Sequence, residues 1–153
     1  MKQIKQKQFE SLAKQARKCT ICPDLADKIA VLSEMNGNIN PKVTFIAEAP
    51  GRQGADRTRK PFSGDKSGEN FQTLLDSINL KREDIFITNA VLCSPRKPSG
   101  ANRRPKKSEM NNCADYLERT IELINPPILV TLGTVALEAL KKSRHPLKPL
   151  NNN

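Results

Sequence analysis

Three short apolar runs, each leading into a helical stripe, restrict this chain more than any other feature of its sequence. Val43 to Ala47 reads VTFIA, bounded by Asn40-Pro41 and Pro50-Gly51; Asp84 to Cys93 reads DIFITNAVLC; Ile128 to Leu132 reads ILVTL. Apolar, β-branched runs of this length between turn residues predict buried strands. Phe71, Leu74, Leu75 and Ile78 recur at helical spacing, as do Met110, Cys113, Leu117, Ile121 and Ile124. The second of these helices is expected to start at Ser108 as N-cap and to stop at Asn125-Pro126-Pro127. Phe9, Leu12, Ala13 and Ala16 mark a first helix over 6–18, and Gly133-Thr134 opens a last one to about Lys142. A helix followed by three strand–helix alternations predicts an α/β fold with a parallel sheet covered by helices. Ligands of such sheets sit beyond the carboxyl ends of the strands. The loop after Ala47, the loop after Leu92 and the turn at Gly133 occupy that edge. The 153 residues suit one domain, expected over 1–143, with an irregular tail at 144–153.

Charge narrows the partner. Lys and Arg number 26 against 16 Asp and Glu, a net charge of +10, which favours a polyanion. Nucleic acid leads, and an anionic membrane surface follows. With 5 Phe, 1 Tyr and no Trp, a large cofactor box lined by Trp is excluded. No apolar run approaches the roughly 18–20 residues of a membrane span, and Met1 to Lys18 lacks the apolar stretch of a signal peptide. The chain is therefore expected to be soluble and cytoplasmic, with no obligate protein partner evident. The positive charge is concentrated in two loops. Arg96, Lys97, Arg103, Arg104, Lys106 and Lys107 run without an acidic residue, and Arg52, Arg57, Arg59, Lys60 and Lys66 project from the same sheet edge. One such run alone is most often a solvated, partly disordered loop; two on one edge favour phosphate contacts.

Four cysteines in a chain without a secretory signal point to metal ligation or thiol chemistry before disulfides. Cys19-Thr-Ile-Cys22 is a CxxC, whose spacing lets two thiolates reach one metal centre. Cys93 stands where the second strand leaves the sheet and Cys113 on a helix face, so all four can meet on one side of the domain. Both an iron–sulfur cluster and zinc accept four cysteines, and spacing does not choose between them. The split of the last two by a Pro-rich basic loop tilts the choice modestly towards a cluster. The plainer alternative makes Cys93 and Cys113 small buried core residues.

Glu48-Ala-Pro-Gly51, Pro61-Phe62-Ser-Gly64, Thr88-Asn-Ala-Val-Leu-Cys93 and Leu129-Val-Thr-Leu-Gly133, with four cysteines in this order, resemble the family 4 and related iron–sulfur uracil-DNA glycosylases. The resemblance covers roughly residues 15–142, and it is the combined order that is specific. It implies a three-layer α/β/α fold with a mainly parallel sheet, and a structural [4Fe–4S] cluster on Cys19, Cys22, Cys93 and Cys113. It implies DNA containing uracil as substrate, with the N-glycosidic bond hydrolysed to leave an abasic site. Such enzymes flip the nucleotide out of the stack and read its edge and face. Phe62 would stack on the uracil ring; Asn89, offering one donor and one acceptor, would match the uracil O4 and N3–H edge. Glu48 matches the motif position for orienting water or stabilising the positive sugar. Asp56 is a second catalytic candidate and Asp65 a weaker one, each of which could instead pair with a nearby Arg. Backbone N–H groups around Gly51 would hold a base carbonyl or a phosphate.

The resemblance also implies a further strand bearing a His-Pro motif, whose His stabilises the uracil O2 anion, followed by a loop that wedges into DNA. Only the dipeptide His145-Pro146 resembles it here, and it follows the last helix too closely for an intervening strand. On this reading the chain is C-terminally short. The competing expectation is then a non-catalytic or truncated iron–sulfur relative that binds nucleic acid, and a zinc-holding module stands third.

Overall fold

The computed structural model describes residues 2–143. Its elements follow in the order α1 (Lys2–Arg17), β1 (Val43–Ala47), α2 (Ala55–Thr58), α3 (Lys66–Ser77), β2 (Ile85–Asn89), α4 (Lys107–Ile124), β3 (Leu129–Thr131) and α5 (Thr134–Lys142), with single 3₁₀ turns between some of them. The expectations for His145-Pro146 and for the tail over 144–153 lie outside the described residues.

The three strands form one parallel sheet in the order β2-β1-β3. β1 is central because its residues are apolar or β-branched on both faces. Its alternation sends Ile46 one way, with Phe86 of β2, into a core built from α1, α4 and α5; Phe9, Leu12, Leu117, Ile121, Val135 and Ala136 fill it. Phe45, Ile85 and Ile87 point the other way, onto Phe71 and Leu75 of α3. A Phe9–Phe86 edge contact at 5.6 Å and a Phe45–Phe71 edge contact at 5.2 Å anchor the two layers. The fold is thus α/β/α, with a thick layer of three helices and a thin one of α3.

Local departures from expectation have physical causes. Leu74 and Ile78 do not join the core: they are 65% and 64% exposed, because α3 lies alone on its face and turns only Phe71 and Leu75 inward. α4 begins one residue before Ser108. Its cap comes from Glu109, whose carboxylate accepts the Lys106 backbone N–H at 2.8 Å. β2 ends at Asn89, four residues before Cys93.

The parallel register fixes what gathers at the carboxyl edge. Ala47 pairs with Asn89, and Ile46 with Thr131. Glu48, which follows β1, therefore leaves the sheet next to Asn89, and Leu132, which follows β3, leaves the same edge on the other side of β1. Among the described residues, no helix is long and apolar enough to cross a membrane.

Candidate active site and cysteine cavity

A cleft of about 360 Å³ opens at the carboxyl ends of the three strands, within the usual size of small-ligand sites. Glu48, Gly51, Phe62 and Asn89 all line it, together with Asp65, Asn102, Arg103 and Leu132. Glu48 is exposed at its mouth and Asn89 is buried in its wall. Among the described residues, neither the Glu48 carboxylate nor the Asn89 carboxamide has a side-chain hydrogen bond or ion pair. An acceptor and a donor–acceptor pair are thus left free to face a ligand.

Phe62 forms one wall. Its ring stacks on Phe71 at 4.3 Å with planes 15° apart, and its backbone holds φ 50°, a left-handed conformation that costs a non-glycine residue about 1–2 kcal/mol. Several contacts offset that cost. Gly68 of α3 lets the chain approach closely, since a Cβ there would meet the Phe62 carbonyl at 2.7 Å. Asp65 caps α3 by accepting the Gly68 N–H at 2.9 Å. Arg82, just before β2, donates to the carbonyls of Pro61, at 2.8 Å, and of Phe62.

The glycine-rich loop after β1 packs around Asp65. A Cβ on Gly54 would meet the Asp65 carboxylate at 2.3 Å and one on Gly51 at 3.2 Å, so the carboxylate needs both glycines. Asp65 is engaged inside the fold, and it also faces the cleft.

Asp56 stands apart from the other candidates. It is absent from the cleft lining; its carboxylate is ion-paired with Arg96 and lies 3.5 Å from Arg59. The reason is the α2 turn, which aims Asp56 towards the Pro-rich loop and away from Asn89.

Three of the six basic residues expected to meet phosphates also have partners within the chain. Arg96 holds Asp56, Arg103 holds Glu109 through two bonds of 2.7 and 2.8 Å, and Lys106 is paired with Asp24. Lys97, Arg104 and Lys107 remain exposed. The loop is ordered: Arg96 and Asn102 form an antiparallel bridge, Lys97 N–H reaches the Ala101 carbonyl at 2.7 Å, and the Asn102 side chain accepts the Arg52 N–H at 2.9 Å. Asn102, Arg82 and Glu109 were invisible in the sequence pattern. Each acts across many residues, and no local spacing signals that.

The four cysteines come together behind this loop. Cys19, Cys22, Cys93 and Cys113 line one cavity with Ala16, Leu25, Ala30, Leu92, Asn112 and Tyr116, and all four are free thiols. α1 delivers Cys19 and Cys22, the chain leaving β2 delivers Cys93, and α4 delivers Cys113. Burial pushes the Cys93 thiol up to about 12, helped by Cys113, Cys19, Cys22 and Asp56 nearby. Burial likewise raises Cys113 to about 11, opposed by the Leu92 backbone N–H. The Asn112 amide lies 3.4 Å from the Cys22 sulfur. Among the described residues, no three His, Cys, Asp or Glu side chains are set to close on one metal ion.

A three-layer α/β/α fold with a ligand cleft at the strand ends and a basic border defines the class. The chain belongs to the uracil DNA glycosylase superfamily, whose family model matches residues 34–151. It is 35% identical over 129 residues to the type-4 uracil-DNA glycosylase of Thermotoga maritima, covering 84% of this chain and 64% of that protein. It is 42% identical over 127 residues to the type-4 enzyme of Saccharolobus solfataricus, covering 82% and 55%. The type-4 enzyme of Archaeoglobus fulgidus is 40% identical over 102 residues, covering 67% and 48%. The chain spans about half to two-thirds of the length of these relatives.

Proposed function

We propose that this protein is a DNA-repair glycosylase that hydrolyses the N-glycosidic bond of uracil in DNA and leaves an abasic site. One observation carries the reading: the cleft gathers, at the carboxyl edge of the sheet, a half-buried aromatic ring with a carboxylate and a carboxamide that have no side-chain partner among the described residues. That set matches a flipped pyrimidine. The Phe62 ring offers a face for the base, and the Asn89 carboxamide pairs with a donor and an acceptor on one edge, as uracil N3–H and O4 present.

Bond cleavage builds positive charge on the sugar and negative charge on the departing base. Glu48, at the cleft mouth and free of a protein cation, is placed to stabilise the first and to orient the attacking water. We assign the carboxylate role to Glu48 rather than Asp56, whose charge is already balanced by Arg96 and Arg59. Beside Gly51 the Arg52 N–H is taken by Asn102, which leaves the Gly51 N–H itself for the base carbonyl or a phosphate. The exposed Lys97, Arg104 and Lys107 supply the charge that meets the DNA backbone. Arg96 and Arg103 hold the loop that carries them, while Lys106, exposed and paired at the surface with Asp24, stays within reach of the same backbone.

The cysteine cavity fits an iron–sulfur cluster better than zinc. Zinc needs four sulfurs about 2.3 Å from one point, whereas a [4Fe–4S] cluster takes one thiolate per iron around a larger core. The four thiols line one small apolar cavity and, among the described residues, no three of them are set to close on a single ion, which favours the second. Cys19, Cys22, Cys93 and Cys113 would hold the cluster, which would tie α1, α4 and the basic loop to the sheet. Free thiols and a DNA substrate also suit the reducing interior of a cell.

The test is single-turnover excision from a uracil-containing oligonucleotide by anaerobically prepared protein of measured iron and sulfide content. Free uracil and alkali-cleavable abasic sites are expected. Iron-loaded protein that binds DNA and yields no product would favour the non-catalytic relative, and a colourless protein with stoichiometric zinc would overturn the cluster.

A further inference from the structure

We infer that Arg82 is the positioning residue of the Phe62 ring, and so sets how well the cleft grips a flipped base. The inference rests on the glycosylase reading of that cleft. Arg82 lies outside the cleft lining, yet its guanidinium bonds the backbone on both sides of the ring-bearing residue. One nitrogen donates to the Pro61 carbonyl at 2.8 Å and another to the Phe62 carbonyl, on either side of the Phe62 nitrogen and α-carbon. The same group sits 5.1 Å over the centre of the Phe71 ring, the ring on which Phe62 stacks. Its third nitrogen reaches Gln72 of α3 at 3.4 Å.

These contacts address one weakness. Phe62 sits at φ 50°, a conformation its own side chain disfavours, in a loop with glycines nearby. A relaxed backbone would swing the ring away from Asn89. The forked guanidinium holds two successive carbonyls in fixed relative orientation, which a single ammonium cannot do. Arg82 is also the first residue of the turn that leads directly into β2, whose last residue is Asn89. The stacking ring and the edge-reading carboxamide are thereby referred to one rigid element, as a base held on both face and edge requires.

The experiment compares wild type, Arg82→Met, Arg82→Lys, Phe62→Ala and the double variant Arg82→Met with Phe62→Ala. Single-turnover excision, affinity for uracil-free DNA, thermal midpoint and hydrogen exchange of the 62–68 amides are read for each. Arg82→Met is expected to slow excision by about 10- to 100-fold, the scale of a small misplacement at a reacting centre. Arg82→Lys should recover only part of that rate. In the Phe62→Ala background the Arg82→Met change should add no further loss, and affinity for uracil-free DNA should not move. A full excision rate in Arg82→Met, or an equal loss in both backgrounds, overturns the inference. Wild type that folds but releases no uracil overturns the glycosylase reading instead. In that case exchange still decides the Arg82 contact, since unchanged protection of the 62–68 amides in Arg82→Met, or in Arg82→Lys should the former not fold, refutes it.

Discussion

Arg103 and Glu109 meet face to face: two guanidinium nitrogens lie 2.7 and 2.8 Å from the two carboxylate oxygens, and Glu109 also accepts the N–H that starts α4. Arg103 further donates to the Arg96 carbonyl at 3.0 Å, so one pair closes both the helix cap and the Pro-rich loop. Glu109 is only 3% exposed. Removing its partner would leave a buried charge, a loss of roughly 3–5 kcal/mol for well-buried pairs. Arg103→Ala is therefore expected to lower the midpoint in chemical denaturation and to open the loop to proteases. Unchanged stability would show that water replaces the guanidinium without cost.

The same pair sets an acid response. The Arg103 bonds, foremost, hold the Glu109 carboxyl below its ordinary value of 4.5. A depressed carboxyl contributes stability above its unfolded value and loses it as pH falls through the folded one. Wild type and Glu109→Gln should thus differ most at neutral pH, and the difference should begin to shrink near the ordinary carboxyl value and close only below the depressed folded one. Denaturant melts across pH 2–7 check this, and a difference independent of pH would refute it.

The two candidate carboxylates predict opposite phenotypes. Glu48 is exposed and unpartnered among the described residues, so Glu48→Gln should leave melting unchanged while slowing excision by about 10²–10⁴, the usual scale for a lost general base. Asp56→Asn breaks contacts to Arg96 and Arg59 and should destabilise by roughly 1–3 kcal/mol, with a smaller effect on the chemical step. Excision falling more in Asp56→Asn than in Glu48→Gln would reverse the assignment.

The contrast between these carboxylates shows what could be read in the chain. Strand positions, the parallel sheet and the loops at its ligand edge followed from local apolar patterns and from the rule that places ligands at strand ends, whereas Glu48, Gly51, Phe62 and Asn89, which all line the cleft there, were singled out by the family resemblance. Patterns of that kind extend over a few residues. Asp56, Arg96 and Arg103 have partners fixed by how loops fold back on one another, and a basic run looks alike whether its charges face solvent or a buried Glu109. Leu74 and Ile78 illustrate the same limit on a helix. Their spacing fits an apolar stripe, but the thin layer formed by α3 alone cannot bury a stripe that wide.

Cysteine substitution tests the cavity independently of activity. Cys113 is buried on α4 and reaches the cavity opposite the Cys19–Cys22 turn. Cys113→Ser is expected to lose bound iron, the visible absorbance and most of the soluble protein, because the apolar hollow would be left without its crosslink. Asn112→Ala, which removes only a contact to the Cys22 sulfur, should retain iron. A soluble Cys113→Ser protein with full iron content would show that Cys113 is a core residue and no ligand.

Gly68 makes a prediction in which two known effects compete. Glycine in a helix interior is about 1 kcal/mol worse than alanine, so Gly68→Ala in α3 would ordinarily stabilise. The added Cβ, however, would fall 2.7 Å from both the carbonyl carbon and oxygen of Phe62 and 2.9 Å from the Ser63 nitrogen. These are backbone atoms held in place by Arg82, and they cannot yield as the end of a flexible side chain would. Overpacking of this kind costs about 1–3 kcal/mol, which outweighs the gain in helix propensity. Gly68→Ala should therefore melt below wild type, and it should slow excision because the stacking ring is displaced from the cleft wall. A Gly68→Ala protein that is more stable and fully active would show that the Phe62 segment moves freely over α3.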